Sequence, residues 1–423
     1  MNSNLTNIFK GDKVIWMIFF FLCIISVIEV YSASSRLTYG VDAYWTPILK
    51  HIGILIMGVL SMLVVLNVKC KYFKLVTPVL LPFAFITLIW ALVGGENKND
   101  ASRWVSMMGI SFQPSEIAKG AIILATAQIL SAMQTAKGAD SKAIKYILIV
   151  LAFIVIPIMV ENLSTAVLIV VTVILMMFIG RVPMRQLGKL LGVLAIMGVL
   201  AVSSILIVGK RDNTVKNSDK QNLTEEVKKE KKENSIEKIL HRADTWKGRI
   251  YDFFDNEYIP PEKFDLDENA QVGHANIAIA SSKGIGKGPG NSTERDFLTH
   301  AVSDFIYAII VEEMGLIGAI VVAALYIMLL FRAGRIASRC ENAFPAFLIM
   351  GLAIMLVMQA LMNMLVAVGL APVTGQPLPL VSKGGSSSVI NCIFIGVMLS
   401  ISRSAKKNDA IPSANHGYMQ IME

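Results

Sequence analysis

Apolar residues run along this chain in blocks, and the blocks have the length of a membrane crossing. Ten of them, at about 14–33, 47–67, 73–93, 114–133, 144–160, 164–180, 187–208, 304–331, 343–369 and 385–402, are long enough as helices to span roughly 30 Å of hydrocarbon. Polar residues gather in the intervals. The pattern predicts an all-α, polytopic membrane protein with ten transmembrane helices. It divides the chain into a short N-terminal segment (1–13), helices one to seven (14–208), a large loop (209–303), helices eight to ten (304–402) and a tail (403–423). The first block follows Lys10 and Lys13 but ends without a clean small-residue cleavage site, so it reads as a retained helix.

Charge orients this plan. Lys and Arg resist translocation and accumulate on the cytoplasmic side of short loops. With both termini inside, the inner segments hold seventeen Lys and Arg and the short outer loops hold four, namely Arg36, Lys98, Arg103 and Lys383. The 209–303 loop is then extracytoplasmic, and its 16 basic and 17 acidic residues nearly cancel. The net charge of +8 is therefore topological and does not point to nucleic acid. A composition 54% hydrophobic and 17% charged, with mean hydropathy +0.60, excludes a soluble domain. Within the loop, "KNSDKQNLTEEVKKEKKENSIEK" is expected as a solvated helix or flexible arm, and "HRADTWKGRIYDFFDNEYIPPEKF" as a segment at the membrane interface. Four cysteines lie in spans or on the inner side, so neither a disulfide framework nor a zinc site is expected.

Ionisable residues inside spans are the candidates for chemistry, because each costs roughly 2.5–3.5 kcal/mol at the bilayer centre. The eighth span carries Asp304 at its outer mouth and Glu312 and Glu313 about 12 Å deeper. At 100° per residue the three face different directions, so they cannot share one small site. Asp304 is either a helix cap, together with Ser303, or a functional carboxylate. Glu312 and Glu313 are expected to pair helices or support a cavity. In "RWVSMMGISFQPSEIAK", Pro114 suits a first helical turn, and Glu116 and Lys119 share a face. They form either a self-neutralising pair or, with Arg103, a cationic site for phosphate. "SSKGIGKGPG" is read as a mobile or tightly turning loop whose amides and Lys287 suit an anion. In "GLAPVTGQPLPLVSKGGSSS", Pro377, Gly384 and Gly385 break helix geometry, which membrane depth tolerates only beside a cavity or buried in protein.

These motifs, in this order, resemble the SEDS family of shape, elongation, division and sporulation proteins typified by FtsW, RodA and SpoVE. The resemblance rests on "SFQPSEIAK", "QVGHANIAIASSKGIGKGPG", "SDFIYAIIVEEMGLIG", "NMLVAVGLAPVTGQPLPLVSKGGSSS" and "LSISR", and it covers nearly all of the chain. "RADTWKGRI" is closer to the division branch. The resemblance implies a peptidoglycan glycosyltransferase that polymerises lipid II into β-1,4-linked glycan at the outer face of the cytoplasmic membrane, at the division septum, and releases undecaprenyl diphosphate. Asp304 matches the family's essential aspartate and is the expected general base. Arg103, Glu116, Lys119, Gln271, Lys287 and Ser386 are the expected substrate contacts, with Glu312, Glu313, Pro377, Gly384 and Gly385 supporting the cavity. The implied partners are lipid II, the nascent strand, a class B penicillin-binding protein and other division proteins. The resemblance fixes no cofactor and leaves a divalent cation, magnesium or manganese, open.

The chain departs from the family pattern at three places. Val302 stands where a histidine often precedes the aspartate, and His300 lies four residues before it. Asn162, Leu163, Ser164 and Thr165 replace Asp-x-Gly-Thr, so no carboxylate is required there. Lys383 adds a cation before the paired glycines. The alternative functions are a lipid II flippase or transporter and a noncatalytic scaffold for a cell-wall synthase; a transporter would ordinarily show repeat symmetry, which this sequence lacks.

Overall fold

The computed structural model describes residues 10–34, 46–94, 96–98, 101–107, 110–208, 270–298 and 301–408. The two loop segments singled out between 216 and 264, and His300, lie outside the described residues.

Long helices occupy the apolar runs. They are α1 (Lys13–Ala33), α2 (Thr46–Asn67), α3 (Phe73–Gly94), α4 (Pro114–Ala132), α5 (Ala143–Glu161), α6 (Leu163–Ile179) and α7 (Met184–Val208), followed by the shorter α8 (Ala270–Ser281) and then α9 (Ile306–Ala337), α10 (Ala343–Ala367) and α11 (Ser386–Asn408). Among the described residues, seven helices are long and apolar enough to cross a membrane, and α6 is apolar but shorter. Large apolar side chains stand on the outer surface, Val93 at 82% exposed and Val79 at 71%, while charged groups such as Glu116, Lys119 and Glu312 are buried. That inversion is stable only in lipid. The chain is a multi-pass membrane protein. The part of α7 from Leu187 onward, with Ala371–Val373, belongs to a second compact unit.

The packing of the other helices sets their directions. Gly58 meets Cys392, Gly396 meets Met62, and Ser400 Oγ donates to the Val68 carbonyl at 2.5 Å, so α2 and α11 run parallel in close contact. Small residues permit this approach without a hydrophobic drive between helices. α1 runs antiparallel to α9: Asp12 at its start meets Arg332 near the end of α9, and Ser32 near its end hydrogen-bonds Glu313 near the start. Asp12 caps α1 by accepting from the Val14 and Ile15 amides at 2.9 and 3.3 Å, and its own amide donates to Ser402 Oγ at 2.9 Å. The first and last helices therefore begin and end at the same side.

Two local features depart from the sequence reading. The connection between α3 and α4 is not helical or irregular throughout; it forms a small antiparallel sheet, β1 (Glu96–Lys98), β2 (Ala101–Met107) and β3 (Ile110–Phe112), in the order β1-β2-β3. The eighth apolar run is not one continuous helix either. Gly315 interrupts α9 at φ 66°, ψ −165°, a conformation that only glycine adopts readily.

Candidate active site

Asp304 lies in a turn, two residues before α9. The N-cap position belongs to Phe305, so the capping arrangement weighed for Ser303 and Asp304 is not the one formed. The turn is held by its backbone. The Val302 carbonyl accepts from the Lys383 amide at 2.9 Å, the Ser303 carbonyl accepts from Ser382 Oγ at 2.5 Å, and the Asp304 carbonyl accepts from Asn363 Nδ2 at 2.7 Å. Three successive carbonyls are thus fixed from outside the turn, which leaves the half-buried Asp304 carboxyl on a rigid mount.

The segment 374–385 supplies much of this support without regular structure of its own. Several of its polar groups are satisfied individually, as irregular backbone in a membrane protein requires, although Gln376 Oε1 is buried without a hydrogen-bond partner. Asn363 Nδ2 also donates to the Gln376 carbonyl at 2.8 Å, Gln376 Nε2 to Thr165 Oγ1 at 2.7 Å, and Ser164 Oγ to the Thr374 carbonyl at 2.9 Å. Gln359 Nε2 reaches the Pro377 carbonyl at 3.0 Å, and the Tyr326 hydroxyl donates to the Pro379 carbonyl. Asn162, where the family commonly has aspartate, caps α6 through Oδ1 to the Thr165 amide at 3.2 Å. Burial depresses the Lys383 ammonium below its ordinary value, with the Lys50 charge adding to the effect.

Glu116 and Lys119 form a buried pair at 2.8 Å, and Lys119 also donates to Gln359 Oε1 at 2.8 Å. Gln359 and Asn363 are one turn apart on α10, so the Lys119 ammonium and the Asp304 turn share one polar face of that helix. Lys119 is fully buried, and an ammonium has three donors, of which two are committed here. Ser386 accepts from the Gln113 amide at 3.3 Å, tying the start of α11 to the start of α4. Gly384 and Gly385 immediately precede α11, Gly385 at φ 54°. Gln271 is on α8, partly exposed, and the Arg103 side chain lies outside the described residues although its backbone is in β2. No three His, Cys, Asp or Glu side chains among the described residues are grouped to hold a metal. An apolar crevice of about 960 Å³ runs among α2, α3, α4 and α11, with Trp104, Phe112 and Ser386 in its wall.

Glu312 and Glu313 do not face apart, as the helical wheel predicts; both converge on residues 287–293. Glu312 Oε1 receives Lys287 Nζ at 2.6 Å and the Thr293 amide and hydroxyl at 3.0 Å each, while Ser292 Oγ donates to Oε2. Glu313 accepts from the Gly290 amide at 2.9 Å, the Ser292 amide at 3.2 Å and the Ser32 hydroxyl. The glycine segment is therefore clamped. Its backbone enters the break in α9: Lys287 and Gly288 amides donate to the Glu312 and Glu313 carbonyls, and Leu316 donates to the Gly284 carbonyl. A Cβ on Gly286 would stand 2.5 Å from Glu313 O, and one on Gly315 would stand 2.4 Å from Ile285 C. Lys287 is thus occupied by Glu312 rather than free for an anion. His274 joins α8 to the same assembly, 2.7 Å from Glu294 Oε2 and stacked on Phe297.

Gln359, Asn363, Gln376 and Ser382 were not singled out from sequence, nor was Glu29. The i,i+4 pair of amides inside an apolar helix was an available signal for the first two. Glu29 is fully buried one turn from Ser32, and neither carboxylate oxygen has a hydrogen-bond partner.

Comparison with known proteins agrees with this architecture. The family model described as cell cycle protein, covering FtsW, RodA and SpoVE, matches residues 12–228 and 234–407. The chain is 29% identical to a probable peptidoglycan glycosyltransferase FtsW of Geobacter sp. (strain M18) over 92% of its length and 96% of the relative's. It is 26% identical to the peptidoglycan glycosyltransferase MrdB of Escherichia coli (strain K12), covering 92% of this chain and 93% of that one. Among solved structures it resembles a chain of a peptidoglycan synthase complex that coordinates polymerization and crosslinking, with TM-score 0.68 and 21% identity over 93% of this chain and 98% of that one. The rod shape determining protein RodA of Thermus thermophilus gives 0.61 and 20%, over 94% and 99%. With the family model matched over nearly its whole length, the chain belongs to the FtsW, RodA and SpoVE cell cycle protein family.

Proposed function

We infer that this chain is a peptidoglycan glycosyltransferase that polymerises lipid II, with Asp304 as its general base. The observation that carries the assignment of Asp304 is the mount beneath it: three consecutive backbone carbonyls are held, which fixes the position of a half-exposed carboxyl. A base must meet the proton it takes at hydrogen-bond distance, and a fixed backbone limits the carboxyl's excursions. The acceptor sugar's 4-hydroxyl oxygen attacks the anomeric carbon of the donor MurNAc. Its proton passes to the Asp304 carboxylate, the bond from anomeric carbon to phosphate oxygen breaks, and the electron pair leaves with undecaprenyl diphosphate. One displacement converts the α-linked donor into a β-1,4 bond.

The Lys119 ammonium, with Arg103, stabilises the developing diphosphate charge. Lys119 acts from a buried position, held on Glu116 and Gln359. The apolar crevice suits the polyprenyl tail. No step is routed through a metal.

Ten crossings with both termini cytoplasmic follow from the charge asymmetry, supported by parallel α2 and α11 and antiparallel α1 and α9. The bilayer is then the cytoplasmic membrane, at the septum, with the Asp304 turn outside. A class B penicillin-binding protein is the partner this reading requires to cross-link the strands. Purified chain with its cognate transpeptidase and labelled lipid II should yield glycan ladders, and Asp304→Ala should not. Undiminished ladders from that variant would remove Asp304 from the chemistry, and lipid II movement across liposomes without polymer would favour a transporter.

A further inference from the structure

The side of the bundle that holds Asp12 and Ser402 contains a second cavity, of about 540 Å³, between the start of α3, the α9–α10 turn and the end of α11. Lys69, Lys71, Lys74 and Arg403 line it, against a single carboxylate, Glu341. Among the described residues none of these four cations has an ion-pair partner. Lys74 instead stands 5.1 Å from the Phe344 ring centre and Lys71 5.1 Å from that of Tyr72.

Charges that serve topology alone need only lie in an inner loop, as Lys142 and Lys145 do. Four that converge on one concavity repel one another, and their arrangement is favourable when an anion enters. We propose that this pocket binds a phosphate-bearing anion, the headgroup of an anionic phospholipid in the cytoplasmic leaflet. The lipid source is favoured by what lies beside the pocket: Leu75 and Val79, four apart on one face of α3, are 68% and 71% exposed and give acyl chains a surface to follow. Phe344 and Pro345 add an apolar floor beneath the headgroup. The leaflet assignment takes its orientation from the proposed function; the anion site itself does not depend on polymerisation.

The test is native mass spectrometry of the full chain in detergent, after exposure to mixed micelles containing equal phosphatidylglycerol and phosphatidylethanolamine. The wild type retains one phosphatidylglycerol in preference to phosphatidylethanolamine. Lys74→Gln with Arg403→Gln lowers that retention by about 25-fold, about fivefold for each charge, while Lys142→Gln with Lys145→Gln leaves it unchanged. Lys74→Arg keeps binding, which separates charge from misfolding should the double variant be unstable. Displacement by millimolar inorganic phosphate would identify a soluble phosphate as the source while upholding the site. Equal retention in wild type and the double variant, or equal loss in the Lys142 and Lys145 control, would overturn it. Lipid retention requires no turnover, so a failed ladder assay and a failed retention assay are told apart.

Discussion

The turn at 302–304 and the glycine segment at 284–293 are both irregular backbone beside a membrane helix, and both meet the same helix, α9. They are held by different groups. At the glycine segment, Glu312 and Glu313 accept from amides, hydroxyls and an ammonium, and their negative charge is consumed in holding the loop. At the turn, neutral groups do the holding, from Asn363, Ser382 and the Lys383 amide, and what they grip is the backbone carbonyls of Val302, Ser303 and Asp304. A carboxylate surrounded by donors is a structural bolt. One carried on a backbone pinned by neutral groups is positioned by that backbone instead.

The contrast can be broken most sharply at Asp304. Asp304→Ala should reduce lipid II polymerisation by about 10²–10⁴-fold, measured as ladder formation, with the thermal midpoint in detergent nearly unchanged; a large fall in that midpoint would make Asp304 a bolt like the others. Glu312→Ala should do the reverse. It leaves the Lys287 ammonium and the Thr293 amide facing a void, costing on the order of 3 kcal/mol, and the midpoint should fall by several degrees. Gly315→Ala acts on the other half of the same joint: a left-handed backbone costs about 1–3 kcal/mol, and its methyl collides with Ile285. Faster tryptic cleavage at Lys283 and Lys287 would report the released loop, and unchanged cleavage would mean that the loop is held without the break.

Asn363→Ala is the smaller test on the catalytic side. Losing the bond to the Asp304 carbonyl should lower kcat about tenfold, or about 1.4 kcal/mol, with little change in KM. A change in KM alone would make Asn363 a binding residue. The mildest effect is expected at Asp12. Burial works to raise its carboxyl, but the Arg332 guanidinium and the Val14 and Ile15 amides outweigh it and hold the value below that of an ordinary aspartate. The stability it contributes is therefore present above the unfolded value near 3.8 and is lost as pH falls through the lower, folded one. Arg332→Ala should flatten that acid limb of the melting profile, by about 1 kcal/mol or less.

Apolar runs and positive charge made the helices legible, because span length and Lys and Arg placement are read one segment at a time. The order of motifs likewise pointed to Asp304, Glu116 and Lys119. The Gly315 break left no mark in the sequence, since a glycine in an apolar run is ordinary in a membrane helix. The helical wheel failed at Glu312 and Glu313 for a related reason: it separates their faces, whereas one loop wraps both, and Ser32 of α1 supplies Glu313 with the expected partner from another helix. Gln359 and Asn363 were passed over as single neutral amides, and their partners, Pro377, Gln376 and the Asp304 carbonyl, come from distant sequence that no local pattern reports.

The ties of α1 to the rest of the chain bear on biogenesis. Ser32 meets Glu313 across 281 residues and Asp12 meets Arg332 across 320. At a synthesis rate of about 5–20 residues per second, the intervening chain takes roughly 15–60 s to emerge. For that interval the first helix has entered the bilayer with Glu29 and Ser32 along its length and no α9 to receive them. Until α9 follows, Asp12 and Ser32 lack the partners they hold in the finished fold.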